Sequence, residues 1–100
     1  MSYFRLSIMK ARRGEEARVA ELVRRLHELS RGQPGCEASY VLHPHDDSGE
    51  IARIAIYKDE AAAEAAASTD RVLALRSELH LAVQPGHIER AFFTDERTPQ

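Results

Sequence analysis

Tyr3-Phe4-Arg5-Leu6-Ser7-Ile8-Met9-Lys10-Ala11 is the stretch on which the fold turns. Phe4, Leu6 and Ile8 alternate with Tyr3, Arg5, Ser7 and Met9, and a period of two is that of a β-strand. Neither side of the strand is cleanly polar: the first set is wholly apolar, and Tyr3 and Met9 make the second partly so. Hydrophobicity alone turns Phe4, Leu6 and Ile8 toward whatever covers the sheet. The apolar groups left on the other side then ask for a second covering layer.

Gly14 ends this strand, and from Glu15 the apolar spacing changes to Val19, Leu22, Val23, Leu26 and Leu29, one face of a helix. Glu15 and Glu16 stand where the helix dipole favours acids, Arg24, Arg25 and Arg31 where it favours bases, and Gly32 is the expected stop. Gln33-Pro34-Gly35 turns the chain into a second strand, Cys36 to His43, with Cys36, Ala38, Tyr40 and Leu42 on one face. His43-Pro44-His45-Asp46-Asp47-Ser48-Gly49 is turn chemistry, and Glu50 to Tyr57 is a third strand, so 36–57 reads as a hairpin. Asp59 is the expected N-cap of a helix through 61–67, where six of seven residues are alanine. Asp70 is the expected cap of a further helix with the stripe Val72, Leu75, Arg76, Leu79, Val83, ended by Pro85-Gly86. Residues 87–93 form the last strand, and the polar tail 94–100 is expected to be disordered.

The order βαββαβ, with its second helical segment broken in two, predicts an α+β, ferredoxin-like fold. Its four strands form an antiparallel sheet in the spatial order 4-1-3-2, with helices on one face. One domain over 1–100 is expected, with an ordered core of about 3–93. The bare face of the sheet predicts a partner sheet, and a homodimer supplies one.

Composition narrows the chemistry. The chain has 100 residues, 43% hydrophobic and 30% charged, and a net charge of −2. Its mean hydropathy is −0.45. No apolar run approaches the ~20 residues that span a bilayer, and the N-terminal residues carry no secretory pattern, so a cytoplasmic protein without membrane attachment is expected. The single cysteine, Cys36, excludes an intramolecular disulfide and a thiolate-rich zinc site. The same element order serves RNA-recognition domains, but the third strand, IARIAIY, carries one ring at its end, and no nucleic-acid partner is expected. It also serves acylphosphatases, but Ala11-Arg12-Arg13-Gly14-Glu15 is no glycine-rich phosphate cradle. His43, His45, Asp46 and Asp47 carry donor types that suit a late transition metal, yet their spacing matches no metal motif and aspartates are turn formers, so no metal site is assigned. Ser7 and Ser39 lie in no nucleophile-elbow motif.

The chain resembles the antibiotic biosynthesis monooxygenase-like family of dimeric α+β barrels. The resemblance is carried by the strand running into Lys10-Ala11-Arg12-Arg13-Gly14, by Gln33-Pro34-Gly35-Cys36, by Ile54-Ala55-Ile56-Tyr57-Lys58-Asp59-Glu60-Ala61, and by Ser68 to Arg76. It implies enzymes that oxygenate electron-rich aromatics with dioxygen and no metal or flavin, and so no cofactor. Triplet dioxygen reacts slowly with closed-shell molecules, so the substrate must first become an anion able to give up one electron. The protein then supplies a dry cavity, a proton acceptor and positive charge. Haem-degrading relatives carry Asn, Trp and His where this chain has Ser7, Ala66 and Arg76, which sets haem degradation aside. Anthrone-oxidising relatives use Asn and Trp, and the sequence contains neither residue.

The candidate pocket groups are therefore His80 and Tyr57 as catalytic residues, with Arg5, Ser7, Tyr40, Arg53 and Arg76 binding substrate. His80 is the general-base candidate, because imidazole titrates near neutrality; Tyr57 could donate a hydrogen bond to a substrate oxygen. Arg5 and Arg53 lie on neighbouring strands and could converge on an anion, or either could cross the dimer interface and pair with Glu37, Glu50 or Glu89. The family comparison turns Ser7 and Arg5 toward the helices, against the reading from hydrophobicity alone. Two functions follow: a cofactor-independent monooxygenase of a quinol, anthrone or similar small aromatic, or a non-catalytic homodimer that binds a small apolar ligand or serves as an interaction module.

Overall fold

The computed structural model of the chain describes residues 1–95. Its elements are β1 (Tyr3–Lys10), α1 (Glu16–Arg31), β2 (Cys36–Leu42), β3 (Glu50–Tyr57), α2 (Glu60–Ala67), α3 (Asp70–Ala82) and β4 (Ile88–Phe93). The strands form one antiparallel sheet in the order β2-β3-β1-β4, the 4-1-3-2 arrangement expected of a ferredoxin-like α+β fold. The shortest dimension is 20 Å, enough for one helix layer on one sheet, so the helices cover a single face.

Which face they cover corrects the reading from hydrophobicity alone. Tyr3 and Met9 are each 6% exposed and belong to the core, so Arg5 and Ser7 between them face the helices, as the family comparison implied. The core is built in two clusters. Met9 packs with Val19, Leu22, Val23 and Leu26 of α1 and with Val72 and Leu79 of α3. Tyr3 packs with Ala55 and Tyr57 and with Ala62, Ala63 and Ala66 of α2. The strand ends therefore need apolar side chains on the covered face, whereas its middle lies over the gap between the clusters and does not.

Phe4, Leu6 and Ile8 lie on the uncovered face, in register with Ile56 and Ile54 of β3 and with Phe92 and Ile88 of β4. Tyr40 and Leu42 of β2 continue this face, at 54% and 42% exposure. With ~3.4 Å per residue and ~4.8 Å between strands, the patch measures about 24 by 19 Å, as large as the apolar patches that mark interaction sites.

Local differences from the sequence reading have visible causes. The register shifts between Cys36 and Ala38, so Cys36 packs on the covered side against the Tyr57 cluster while Ala38, Tyr40 and Leu42 lie on the other. Asp59 caps α2 as expected, accepting from the Ala62 amide at 2.8 Å. The cap of α3 is Thr69 rather than Asp70: its hydroxyl accepts from the Val72 amide at 3.3 Å, which puts Asp70 in the first turn. The helix α3 stops at Ala82, before Pro85, because the chain there pairs with the end of β1: the Arg12 amide donates to the Ala82 carbonyl and the Gln84 amide to the Lys10 carbonyl, both at 2.8 Å. Thr94, assigned to the tail, is tied to Ser2 by bonds of 3.0 and 2.8 Å; residues 96–100 lie outside the described residues.

Gly35 is the turn residue with least freedom to change. Its φ is +81°, and an added Cβ would stand 2.7 Å from the Cβ of the core residue Ala62. At Gly49, with φ +77°, the same atom would meet nothing within 4 Å. Gly35→Ala is expected to lower unfolding free energy by about 3 kcal/mol, from left-handed strain plus overpacking, and Gly49→Ala by about 1 kcal/mol, from strain alone. Urea denaturation of the two variants checks this; equal losses would contradict the packing role of the 33–36 turn.

Candidate functional site

The gap between the two core clusters is a cavity of about 250 Å³. Its floor is the middle of the covered sheet face. Arg53, Ser7 and Glu89 stand side by side there, because Ser7 is in register with Arg53 on β3 and with Glu89 on β4. Its walls are apolar: Val23 and Leu26 from α1, Ala63 and Ala66 from α2, Val72 and Leu79 from α3. The alanines of α2 are what leaves room, since their side chains stop at Cβ.

Arg53 is the group on which the electrostatics depend. Its Nη1 donates to Ser30 Oγ at 2.8 Å, and the Tyr57 hydroxyl also accepts from it. Ser30, in the last turn of α1, is 5% exposed, and Tyr57 is 4% exposed, so this is the inner end of the cavity. Burial lowers the Arg53 pKa; the Tyr57 oxygen opposes that, the nearby Arg76 cation adds to it, and Glu89 opposes it. A guanidinium nevertheless keeps its charge in a protein. Among the described residues no carboxylate pairs with it directly; its partners are hydroxyl oxygens.

The other two arginines are already paired. Arg5 Nη2 donates to Glu64 Oε1 at 2.9 Å and its guanidinium lies 5.6 Å from the centre of the Tyr3 ring. Arg76 Nη2 reaches both oxygens of Glu89, at 3.2 and 3.4 Å. His87 Nε2 lies 3.7 Å from the same carboxylate, and its ring stands edge-on to His80 with centroids 4.9 Å apart. His80 and Glu89 are exposed and Arg76 and His87 half-buried, and the four form the mouth.

Of the residues singled out from sequence, Arg5, Ser7, Arg53, Tyr57, Arg76 and His80 all line this cavity. Tyr40 does not: it projects from the opposite face of the sheet, because β2 side chains alternate and Ser39 is the one turned to α1, where its Oγ lies 2.9 Å from His27 Nδ1. Within the chain Arg5 pairs with Glu64, a partner not foreseen from sequence. Ser30, His87 and Glu89 escaped sequence reasoning. Ser30 left a signal: it follows Val19, Val23 and Leu26 at helical spacing, a hydroxyl on the apolar stripe.

Two other features carry no site. Asp46 accepts from the Ser48 amide at 3.1 Å, and hydrogen bonds from Ser48 hold its carboxyl below the usual range, which is turn chemistry. Among the described residues no three His, Cys, Asp or Glu side chains are grouped to hold a metal ion. Burial pushes the Cys36 thiol up from its ordinary value, against a hydrogen bond to the Ala38 carbonyl, so it is a poor nucleophile.

These features define a ferredoxin-like α+β domain with an apolar, cation-floored cavity between sheet and helices. The sequence profile of the antibiotic biosynthesis monooxygenase family matches residues 4–78, and the chain belongs to that family. No curated protein matches the sequence. Among solved structures, Rv0793 from Mycobacterium tuberculosis superposes with a TM-score of 0.87 at 14% identity, covering 98% of this chain and 100% of that one. SnoaB, a cofactor-independent oxygenase from Streptomyces nogalater, gives 0.83 at 17% identity over 99% of this chain and 98% of its own. PA3566 from Pseudomonas aeruginosa gives 0.82 at 19% identity over 93% of each chain. At these identities the likeness shows the fold. Among the described residues no helix is long and apolar enough to cross a membrane.

Proposed function

We propose that the protein is a cofactor-independent monooxygenase of a small hydroxyaromatic, of quinol or anthrone type, working as a homodimer. The observation that carries this reading is Arg53: a cation at the inner end of an apolar cavity, held by the hydroxyls of Ser30 and Tyr57 and by no carboxylate among the described residues. Family membership supports the reaction type.

In this reading the substrate oxygen sits against Arg53, which stabilises it as an oxyanion, with the Tyr57 hydroxyl donating to the same oxygen. Charge stabilisation is strong there because the walls exclude water. His80 at the mouth accepts the proton that the substrate gives up. The anion passes one electron to dioxygen, the resulting radical pair combines at a ring carbon, and the hydroperoxide loses water. One oxygen atom remains as a new carbonyl, and the other leaves as water with two hydrogens of the substrate, one from that carbon and one given up as the proton and returned to the hydroperoxide, so no outside reductant is consumed. Ser7 lies on the floor beside Arg53 and contacts the ring. Arg5 and Arg76, each paired with a glutamate, shape the rim.

Metal-stripped, flavin-free protein is expected to take up dioxygen saturably with at least one member of a panel of reduced quinols and anthrones. Arg53→Met should lower kcat/KM by about 100-fold, and His80→Ala by a similar factor. Uptake at the buffer rate across the panel would instead favour a non-catalytic ligand-binding dimer.

The dimer forms through the uncovered sheet face. Its support is the apolar patch around Phe4, Ile54 and Phe92, in which Phe92 is 45% exposed. Sedimentation at micromolar concentration should give twice the chain mass, and Phe4→Glu together with Ile54→Glu should give monomer. A wild-type monomer would contradict this arrangement.

A further inference from the structure

The charge balance of the cavity leads beyond the reaction to the ligand it accepts, and this step rests on reading the cavity as a pocket for an aromatic anion. Three arginines touch it, Arg5 and Arg53 from the covered face of the sheet and Arg76 from α3. Glu64 neutralises the first and Glu89 the third, which leaves one positive charge for a ligand. Arg90 adds none, since its guanidinium lies 5.2 Å from the centre of the Phe92 ring on the other face of the sheet. His80 and His87 are the remaining titratable groups at the mouth, and His87 also leans on Glu89. Volume supplies a second limit. An apolar cavity of ~150 Å³ accommodates benzene; about 250 Å³ has room for a second fused ring.

We infer that Glu89 sets the charge of the ligand: by holding Arg76 at the mouth, it restricts the cavity to aromatic monoanions. Glu89 is thus a specificity-determining residue that no step of the oxygenation requires. Its carboxylate is on the ligand's path, in the same row of the sheet as Ser7 and Arg53 and two strands across from Arg53, so a second negative group on the far end of a ligand seated on Arg53 meets it. Removing its charge exposes Arg76 to the ligand instead, and repulsion becomes attraction at that end.

The test is binding, measured by calorimetry at fixed pH and ionic strength without oxygen turnover. The probes are 2-naphthoate and 2,6-naphthalenedicarboxylate, which differ by one carboxylate. Wild-type protein is expected to prefer the monoanion by about tenfold, and Glu89→Gln to tighten dicarboxylate binding by about tenfold while leaving naphthoate within a factor of about three. Arg76→Gln is the independent counterpart: it leaves the Glu89 carboxylate without its cation and should weaken both probes, the dicarboxylate more. Arg53→Met should abolish binding of both. If wild-type protein binds naphthoate but the ratio of the two affinities is unmoved in folded Glu89→Gln and Arg76→Gln variants, the role of Glu89 is overturned while the anion pocket stands. If wild-type protein binds neither probe, the pocket reading fails and this inference fails with it.

Discussion

Arg53 and Ser30 meet in the space between sheet and helices, one on β3 and the other in the last turn of α1, at 2.8 Å. A half-buried guanidinium in an apolar cavity needs polar partners, because a charge drawn away from water without compensation is costly. Here the neutral acceptors come from Ser30 and Tyr57, and the apolar clusters on either side keep the space in front of the cation open rather than collapsed. The arrangement explains why the covered face of β1 is polar in its middle: Ser7 lies beside a charged neighbour on each flanking strand, Arg53 and Glu89, and an apolar residue there would desolvate both.

The same constraint orders the rest of the site. Six alanines between 61 and 67 look featureless as sequence, yet Ala62, Ala63 and Ala66 pack against Tyr3 and Tyr57, and Ala63 and Ala66 wall the cavity without filling it. Gly35 extends that economy of volume to the turn before β2, where a single methyl group would collide with Ala62. At the mouth, by contrast, Arg76, Glu89 and His87 compensate one another in contact with water, where exposed ion pairs contribute ~1 kcal/mol or less. Their role is thus in what they admit and less in what they stabilise.

The fold was legible because its signals are periodic. Strand alternation, the α1 stripe and the turn residues gave the element order and, through it, the strand order. The direction of β1 was not legible from hydrophobicity, since the apolar set Phe4, Leu6 and Ile8 belongs to the uncovered face and the mixed set to the core; only the family comparison oriented it. Six of the seven chosen site residues share the cavity because they lie on the sheet face or helix turns that the fold brings together. Tyr40 was misplaced because the irregularity between Cys36 and Ala38 changes which β2 residues share a face with the core, and a bulge leaves no periodic trace. The pairing of Arg5 with Glu64 and of Arg76 with Glu89 depends on contacts 59 and 13 residues apart, beyond the reach of local spacing.

The central claim is that Arg53 makes this cavity a receptor for an aromatic oxyanion. It is tested most directly by following the ionisation of 2-naphthol by absorbance, free and bound to the protein. The account predicts that bound naphthol ionises at clearly lower pH than free naphthol, and that in Arg53→Met the order reverses, because an apolar cavity without the cation disfavours the anion. Bound naphthol that ionises at the same or higher pH in the wild-type protein would contradict it.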